Sequence, residues 1–316
     1  MSLAFIFPGQ GSQALGMGKA LAEASPAARA VFAEVDDALG QPLSKLMWEG
    51  PEADLTLTEN AQPALMAVSL AVMRTLEAEH GIRLEDVAKF VAGHSLGEYS
   101  ALAAAGTFSL ADAARLLKVR GRAMQKATPV GIGAMAALLG LDYPDAAAIA
   151  QAAAQNEICQ AANDNAPGQV VISGHKAAVE RAVALAKGKG AKRAVMLAVS
   201  APFHCALMQP AAEAMAKALA NTPMRPPTVP IVTNVLAAPL TDPDEIRKAL
   251  VAQVTGTIRW RESMAFMAAQ GVKLFCEVGS GKVLSGLVKR TAPEAMGLAL
   301  GTPADIAQGA AQLKQG

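Results

Sequence analysis

The stretch Gly93-His94-Ser95-Leu96-Gly97 stands between residues 89–92, a run typical of a buried strand, and residues 98–105, which have a helical pattern. It has the form G-x-S-x-G in a strand-turn-helix setting, where the tight turn requires a glycine on each side of the serine. The hydroxyl of Ser95 would stand at a helix amino terminus, where the helix dipole favours developing negative charge and the N–H of Leu96 is placed to bind an oxyanion. Ser95 is therefore a candidate nucleophile; an ordinary serine in a glycine-bracketed turn is the alternative.

The sequence on both sides of this stretch alternates short apolar runs with longer helical patterns. Strands are expected at residues 3–7, 229–235 and 273–278, besides 89–92. Continuous apolar strands that alternate with helices predict an α/β fold with a mainly parallel sheet.

The alternation of apolar runs and helical patterns changes at Thr128-Pro129, which is followed by glycines at positions 131 and 133. From there the pattern predicts, in order, a strand at 133–141, a helix at 145–155, strands at 157–162 and 169–173, a helix at 177–188 and a strand at 192–199. The order βαββαβ is that of the ferredoxin-like unit. We therefore expect a small domain at 128–196, inserted into a larger one formed by 1–127 and 197–316.

Composition excludes several classes of function. The 28 Lys and Arg residues balance 27 Asp and Glu, so no global field attracts nucleic acid or an anionic membrane. The amino terminus lacks the basic region of a signal peptide, and no apolar run is long enough to span a bilayer. We expect a cytoplasmic protein without nucleic-acid or membrane partners. Three cysteines without a C-x-x-C pair are expected to be reduced core residues.

A nucleophilic serine needs a base, and the chain has only four histidines. His80 closes a helix, His94 lies in the turn itself, and His175 opens a helix on the predicted surface. His204 follows the end of a predicted strand and lies downstream of Ser95, as the chain order of hydrolases requires. It is the candidate base, with a structural role as the alternative. No Asp or Glu near His204 stands at a strand end, so the third member of a triad stays open.

The loop after the first strand imitates two phosphate-binding motifs. Residues 7–14 satisfy G-x-G-x-x-A, but the acidic residue required about 20 positions later falls in a helical pattern rather than at a strand end. Gly11 and Gly16 have P-loop spacing, but Met17 replaces the lysine. We therefore expect no cofactor and no metal. A better use of this loop is to supply a second oxyanion N–H, that of Gln10.

Arg120 stands on the apolar side of the helix predicted at 110–126. The other basic residues fall on the opposite side: Arg115, Lys118, Arg122 and Lys126. At about 100° per residue, Arg120 projects between Leu116 and Ala113. A buried guanidinium needs a partner, which is either a structural carboxylate or the carboxylate of a substrate.

Five stretches together carry a resemblance to a known family: Phe7-Pro8-Gly9-Gln10-Gly11-Ser12-Gln13, Gly93-His94-Ser95-Leu96-Gly97-Glu98-Tyr99-Ser100-Ala101-Leu102, Arg120-Gly121, Pro167-Gly168-Gln169-Val170-Val171 and Pro202-Phe203-His204. They resemble, in order and across nearly the whole chain, the malonyl-CoA:acyl carrier protein transacylases of bacterial fatty acid synthesis. The resemblance implies an α/β hydrolase-like large domain with a ferredoxin-like insert. It also implies an acyltransferase that moves malonyl from malonyl-CoA to the phosphopantetheine thiol of acyl carrier protein through a malonyl-serine intermediate.

The resemblance further implies roles for individual residues. Ser95 would be the nucleophile, His204 the base and Arg120 the clamp on the malonyl carboxylate, and the N–H groups of Gln10 and Leu96 would hold the oxyanion. In this family a backbone carbonyl, matched here to Gln253, orients the histidine. Phe203 resembles the bulkier residue associated with malonyl over branched extender groups.

Two other classes of function share the same turn: a serine carboxylesterase or thioesterase, and a non-catalytic acyl-binding module. Arg120 and the inserted domain favour transfer over hydrolysis. Six basic residues could dock an acidic carrier or the phosphates of coenzyme A; the alternative is that they are ordinary solvated surface residues. They are Lys187, Lys189, Lys192, Arg193, Lys289 and Arg290.

Overall fold

The computed structural model describes residues 2–199 and 201–314. Four residues that the predicted domain ranges include lie outside the described residues: Met1, Ser200, Gln315 and Gly316.

The described residues form ten strands and fifteen α-helices. The strands are β1 (Leu3–Phe7), β2 (Ala88–Gly93), β3 (Gly133–Leu139), β4 (Cys159–Ala166), β5 (Gln169–His175), β6 (Arg193–Met196), β7 (Ile231–Val232), β8 (Pro239–Leu240), β9 (Leu274–Val278) and β10 (Met296–Leu300). The helices are α1 (Lys19–Ala24), α2 (Pro26–Leu39), α3 (Leu43–Glu49), α4 (Glu52–Thr56), α5 (Thr58–His80), α6 (Leu84–Val87), α7 (Gly97–Ala104), α8 (Leu110–Lys126), α9 (Tyr143–Ala154), α10 (Lys176–Gly188), α11 (Gln209–Ala220), α12 (Pro243–Thr255), α13 (Trp260–Ala269), α14 (Val283–Thr291) and α15 (Pro303–Lys314).

The larger sheet has six strands in the order β10-β9-β1-β2-β7-β8. All are parallel to their neighbours except β8, which pairs antiparallel with β7. Every residue of β1 is buried, as its apolar sequence predicts for a central strand covered on both faces. Phe7 pairs with Gly93, so β1 and β2 end side by side. The loops that follow these two strands therefore meet at one edge of the sheet.

Two features of this sheet differ from the sequence prediction. The strand expected at 229–235 is only two residues long, because the chain turns at Thr233, whose carbonyl accepts the N–H of Ala237, and returns as β8. β10 was not predicted, since Met296 and Gly297 are exposed at the sheet edge and weaken the apolar pattern.

The smaller sheet is antiparallel, in the order β4-β5-β3-β6, and carries α9 and α10 against it. This is the predicted βαββαβ unit, although β4 extends to Ala166 and β6 ends at Met196, short of the expected residue 199. The predicted fold class, a mainly parallel sheet with helices plus an inserted ferredoxin-like unit, is confirmed. The boundaries 128 and 196 stay a prediction.

Main-chain hydrogen bonds and an ion pair join β4 of the smaller sheet to α13 and the segment before it. Asp164 N donates to Ile258 O at 2.9 Å, and Ile258 N donates to Ala162 O at 2.8 Å. The buried carboxylate of Asp164 pairs with Arg261 at 2.8 Å. These contacts attach the smaller unit to the larger one beside α13.

Among the described residues, no helix has both the length and the apolar character needed to cross a membrane.

Candidate active site

Ser95 stands on the turn between β2 and α7 with φ at 53°, in the left-handed region that L-residues seldom adopt. A Cβ on Gly93 would lie 1.9 Å from the main-chain carbonyl carbon of Gly97, and a Cβ on Gly97 would lie 2.3 Å from the carbonyl oxygen of Phe7. The turn therefore requires glycine on both sides of the serine. It also packs directly against the end of β1.

Asn234, which sequence reasoning missed, holds this turn in place. Its Oδ1 accepts the main-chain N–H of Ser95 at 2.8 Å, and its Nδ2 donates to the carbonyl of Gly93 at 2.8 Å. The only signal in the sequence is the change from the apolar run at 229–232 to the polar pair Thr233-Asn234.

His204 reaches Ser95 from the loop after β6. Its Nε2 lies 2.8 Å from Ser95 Oγ, and its Nδ1 lies 2.8 Å from the main-chain oxygen of Gln253. A carbonyl only accepts, so Nδ1 carries the proton and Nε2 is free to accept the proton of the serine hydroxyl.

The carbonyl of Gln253 is available because it lies in the last turn of α12, where carbonyls lack partners within the helix. This end of the helix carries partial negative charge, which favours a developing positive charge on the imidazole. Burial and the nearby charge of Arg120 lower the pKa of His204 to about 3, although the hydrogen bond to Gln253 opposes them. The imidazole is therefore neutral at physiological pH.

The other three histidines lie outside this arrangement. His94 contacts Asn165 Oδ1 at 2.9 Å, and His175 Nδ1 accepts the N–H of Ile158 at 2.9 Å. His80 ends α5.

Arg120 is buried beside the serine, with 1% of its surface exposed. Its Nη2 donates to Ser95 Oγ at 3.0 Å and to Gln253 Oε1 at 2.8 Å, and its Nη1 donates to Gln62 Oε1 at 2.9 Å. All three acceptors are neutral. Arg120 also lies over the ring of Tyr99, with 5.6 Å from Cζ to the centroid.

The neighbouring cations on α8 have carboxylate partners. Lys118 and Arg122 both pair with Glu59, at 3.2 and 2.7 Å. The position of Lys118 on the polar side of the helix indicated a solvated side chain, but the residue is buried. Its Nζ also donates hydrogen bonds to Gln41 and Asn60, which satisfy the ammonium group. Within the described part of the chain, Arg120 forms no ion pair of this kind, so its charge is left for a ligand.

Two main-chain donors lie near the serine. In residues 2–199 and 201–314, the N–H groups of Gln10 and Leu96 donate to no protein acceptor. Leu96 precedes α7 at its positive end, and Gln10 follows β1, the strand adjacent to β2. Both therefore belong to the sheet edge that presents Ser95, as two oxyanion donors would.

A cavity of about 420 Å³ lies between the two units, with Gln10, Ser95, Arg120, Phe203 and His204 in its wall. Apolar residues from both units complete the lining: Met124, Met135, Val171 and Leu197. This volume suits a small organic ligand, and location between two units is typical of such sites. Gln253 contacts His204 and Arg120 from behind the wall.

The remaining candidates lie apart from the cavity. Cys159, Cys205 and Cys276 are free and buried, as predicted. The six basic residues proposed for docking are all exposed. In the described residues, no group of His, Cys, Asp or Glu side chains has the arrangement of a metal site.

Comparison with known proteins identifies relatives that match nearly the whole chain. The model of the acyl transferase domain matches residues 4–307. The malonyl CoA-acyl carrier protein transacylase of Escherichia coli K12 is 48% identical over 304 residues, which cover 96% of this chain and 97% of that protein.

Two solved structures extend the likeness. An acyl-carrier-protein-S-malonyltransferase from Bartonella henselae is 56% identical with a TM-score of 0.97, covering 99% of this chain and 100% of that one. A malonyl-transacylase in complex with its type II PKS acyl-carrier protein, PlMCAT:AntF, is 43% identical with a TM-score of 0.95, at 99% and 100% coverage.

Proposed function

This chain belongs to the acyl transferase family, among the malonyl-CoA:acyl carrier protein transacylases, and we propose that Ser95, His204 and Arg120 carry out its reaction. The enzyme transfers a malonyl group from coenzyme A to the phosphopantetheine thiol of acyl carrier protein, the step that supplies malonyl units for fatty acid synthesis. Neither the esterase nor the binding-module alternative is supported by these relatives.

The first half-reaction forms the acyl-enzyme. The Ser95 hydroxyl gives its proton to His204 Nε2 while Oγ attacks the thioester carbonyl carbon. The N–H groups of Leu96 and Gln10 stabilise the oxyanion of the tetrahedral intermediate. The carbon–sulfur bond then breaks, and the leaving thiolate of coenzyme A takes the proton from His204.

The second half-reaction reverses these steps. The phosphopantetheine thiol gives its proton to His204, its sulfur attacks the malonyl-Ser95 ester, and Ser95 Oγ leaves and regains the proton. The carbonyl of Gln253 holds the imidazole through both halves, so Nε2 faces the reacting oxygen or sulfur each time.

Arg120 selects the acyl group in this proposal, and its 3.0 Å contact with Ser95 Oγ is the observation that carries it. The malonyl carboxylate is separated from the thioester carbonyl by a single methylene. A carbonyl poised for attack at Oγ therefore brings the carboxylate within reach of the adjacent guanidinium, which suits a bidentate pair. Phe203 narrows the same cavity and would disfavour a branched extender.

We also propose a cytoplasmic location, consistent with substrates of central lipid metabolism. We further propose that the inserted domain spans residues 128–196. We also propose that the carrier docks on the exposed basic residues.

Intact mass spectrometry tests the function directly. The enzyme incubated with malonyl-CoA alone should gain one malonyl group and keep it, and added holo carrier should remove it and become malonylated. Steady release of malonate without carrier would indicate a hydrolase, and no adduct would indicate a binding module.

A further inference from the structure

Glu98 is a fully buried carboxyl group three residues after the nucleophile, in the first turn of α7. Its Oε2 accepts two hydrogen bonds, from Gln253 Nε2 at 2.8 Å and from the main-chain N–H of Asn234 at 3.1 Å. Its Oε1 has no hydrogen-bond partner among the described residues. The reaction described above gives this buried carboxyl group no role.

The contacts of Gln253 show what Glu98 controls. A primary amide has donors on nitrogen and acceptors on oxygen, so its surroundings decide which way it faces. Gln253 Nε2 is surrounded by three acceptors: Ser95 O at 2.9 Å, Glu98 Oε2 at 2.8 Å and Asn234 Oδ1 at 3.2 Å. Its Oε1 consequently faces Arg120 Nη2.

Gln253 thus reaches both functional side chains, through different atoms. Its main-chain oxygen contacts His204, and its side-chain oxygen contacts Arg120. Glu98 also holds the main chain of Asn234, whose side chain fixes the N–H of Ser95. Its single oxygen Oε2 is therefore linked to the nucleophile on one side and to the guanidinium on the other.

We propose that Glu98 is a positioning residue whose Oε2 fixes the direction of the Gln253 amide and thereby holds Arg120 in the orientation that receives the malonyl carboxylate. This inference rests on the role proposed for Arg120. The proposed role requires a hydrogen-bond acceptor at the Oε2 position, but it does not require a negative charge on Glu98. In agreement, burial raises the pKa of Glu98 to about 7, and a proton carried on Oε1 leaves both hydrogen bonds to Oε2 intact.

Because both contacts end on the same oxygen, Glu98→Gln separates the acceptor from the charge. The amide oxygen of the variant can occupy the Oε2 position, and its NH₂ group the position of the unpartnered Oε1. Glu98→Ala removes both oxygens. Ser100→Ala is the matched control, since Ser100 is equally buried on α7 and its Oγ has no partner in the described residues.

The measurement is kcat and KM for malonyl-CoA and for acetyl-CoA in each variant. Glu98→Ala should lower kcat/KM for malonyl by about 10- to 100-fold, mainly through KM, with a much smaller change for acetyl, as expected when a hydrogen-bonded ion contact is weakened. Glu98→Gln should keep the malonyl-to-acetyl ratio within about threefold of the wild type, and Ser100→Ala should keep both rates.

Gln253→Met tests the same link if Glu98→Ala fails to fold. It retains the main-chain carbonyl for His204 and nearly the same side-chain volume, but lacks both amide atoms. It should lose malonyl preference as Glu98→Ala does. An unchanged malonyl-to-acetyl ratio in the folded Glu98→Ala or Gln253→Met variant would overturn the inference.

Equal damage from Glu98→Gln and Glu98→Ala would also overturn it, in favour of a charge role. These failures differ from failure of the proposed function, in which the wild type itself forms no malonyl adduct.

Discussion

The main-chain oxygen of Gln253 lies 2.8 Å from His204 Nδ1, where a Ser-His-Asp triad has a carboxylate. A carbonyl oxygen at a helix carboxyl end fixes the tautomer of the histidine but carries no full charge. The guanidinium of Arg120, which also lies close to this histidine, has the opposite sign to the aspartate of a triad. In the mechanism proposed above, the histidine therefore stays neutral until it receives the serine proton.

We expect Ser95→Ala to lose both the malonyl adduct and transfer. The change removes only the oxygen atom that contacts His204 and Arg120, and alanine tolerates φ at 53° about as poorly as serine, so the fold should persist. Intact mass with malonyl-CoA and a melting curve check this. An adduct of normal yield in this variant would place the nucleophile elsewhere.

His204→Ala should slow acylation by about 10²- to 10⁴-fold, the usual contribution of general-base catalysis, while malonyl-CoA still binds. Single-turnover adduct formation, followed by rapid quench, measures the rate. His80→Ala is the control, because His80 ends α5 and does not line the reaction cavity. Equal acylation rates in the two variants would remove His204 from the mechanism.

Arg120→Ala should reduce kcat/KM for malonyl by about 10- to 150-fold, corresponding to roughly 1.5 to 3 kcal/mol for hydrogen bonds to a charged group. Acetyl has no carboxylate to lose, so its transfer should change little or improve. Arg122→Ala on the exposed side of α8 is the control, since its partner is Glu59. Equal losses for the two acyl groups, accompanied by a lower melting temperature, would instead indicate a structural role for Arg120.

The rate of acylation should not fall between pH 7 and 5, as it would if a histidine base of ordinary pKa became protonated. Because burial and Arg120 lower the pKa of His204 to about 3, the free enzyme keeps this base deprotonated as pH falls from 7 to 5. We expect kcat/KM for a malonyl thioester of a short thiol, which has no titrating phosphate, to stay nearly flat over that range. A tenfold decline with a midpoint between pH 6 and 7 would contradict a base with so low a pKa.

Gly93→Ala should destabilise the protein by more than about 3 kcal/mol, because its Cβ would lie 1.9 Å from main-chain atoms that cannot move without breaking the turn. Gly286→Ala is the matched substitution in α14, where a Cβ meets nothing within 4 Å. It should stabilise the protein by about 0.5 to 1 kcal/mol through helix propensity. Urea unfolding of both variants measures the difference, and similar midpoints would contradict the steric argument.

Local patterns explain which parts of the fold were predictable from sequence. The turn at Ser95 and the βαββαβ order depend on residues close together in the chain, where glycine spacing and periodicity carry the information. The true length of β7 was not predictable, because the turn at residues 233–238 contains neither proline nor glycine. β10 was missed because two of its five residues are exposed, which weakens the apolar pattern.

The site divides in a similar way. Ser95, His204 and Arg120 could be singled out by residue type and position, although family resemblance supplied their roles. Gln253 offered no such signal, since the atom that contacts His204 belongs to the main chain, which every residue has. Asn234 and Glu98 act through contacts with residues more than 100 positions away in sequence, and periodicity carries no information about such contacts.

The pairing of β3 with β6 has a consequence for engineering. These strands begin and end the smaller unit, and they are antiparallel neighbours, with Ala136 opposite Met196. The chain therefore leaves and rejoins the larger unit at adjacent points, the geometry that lets a segment be exchanged without stretching its host. Met135 and Val171 line the cavity and belong to that segment, whereas Ser95 and Arg120 belong to the larger unit. Replacing this segment with the corresponding segment of a relative would thus change one wall of the cavity and leave Ser95 in place.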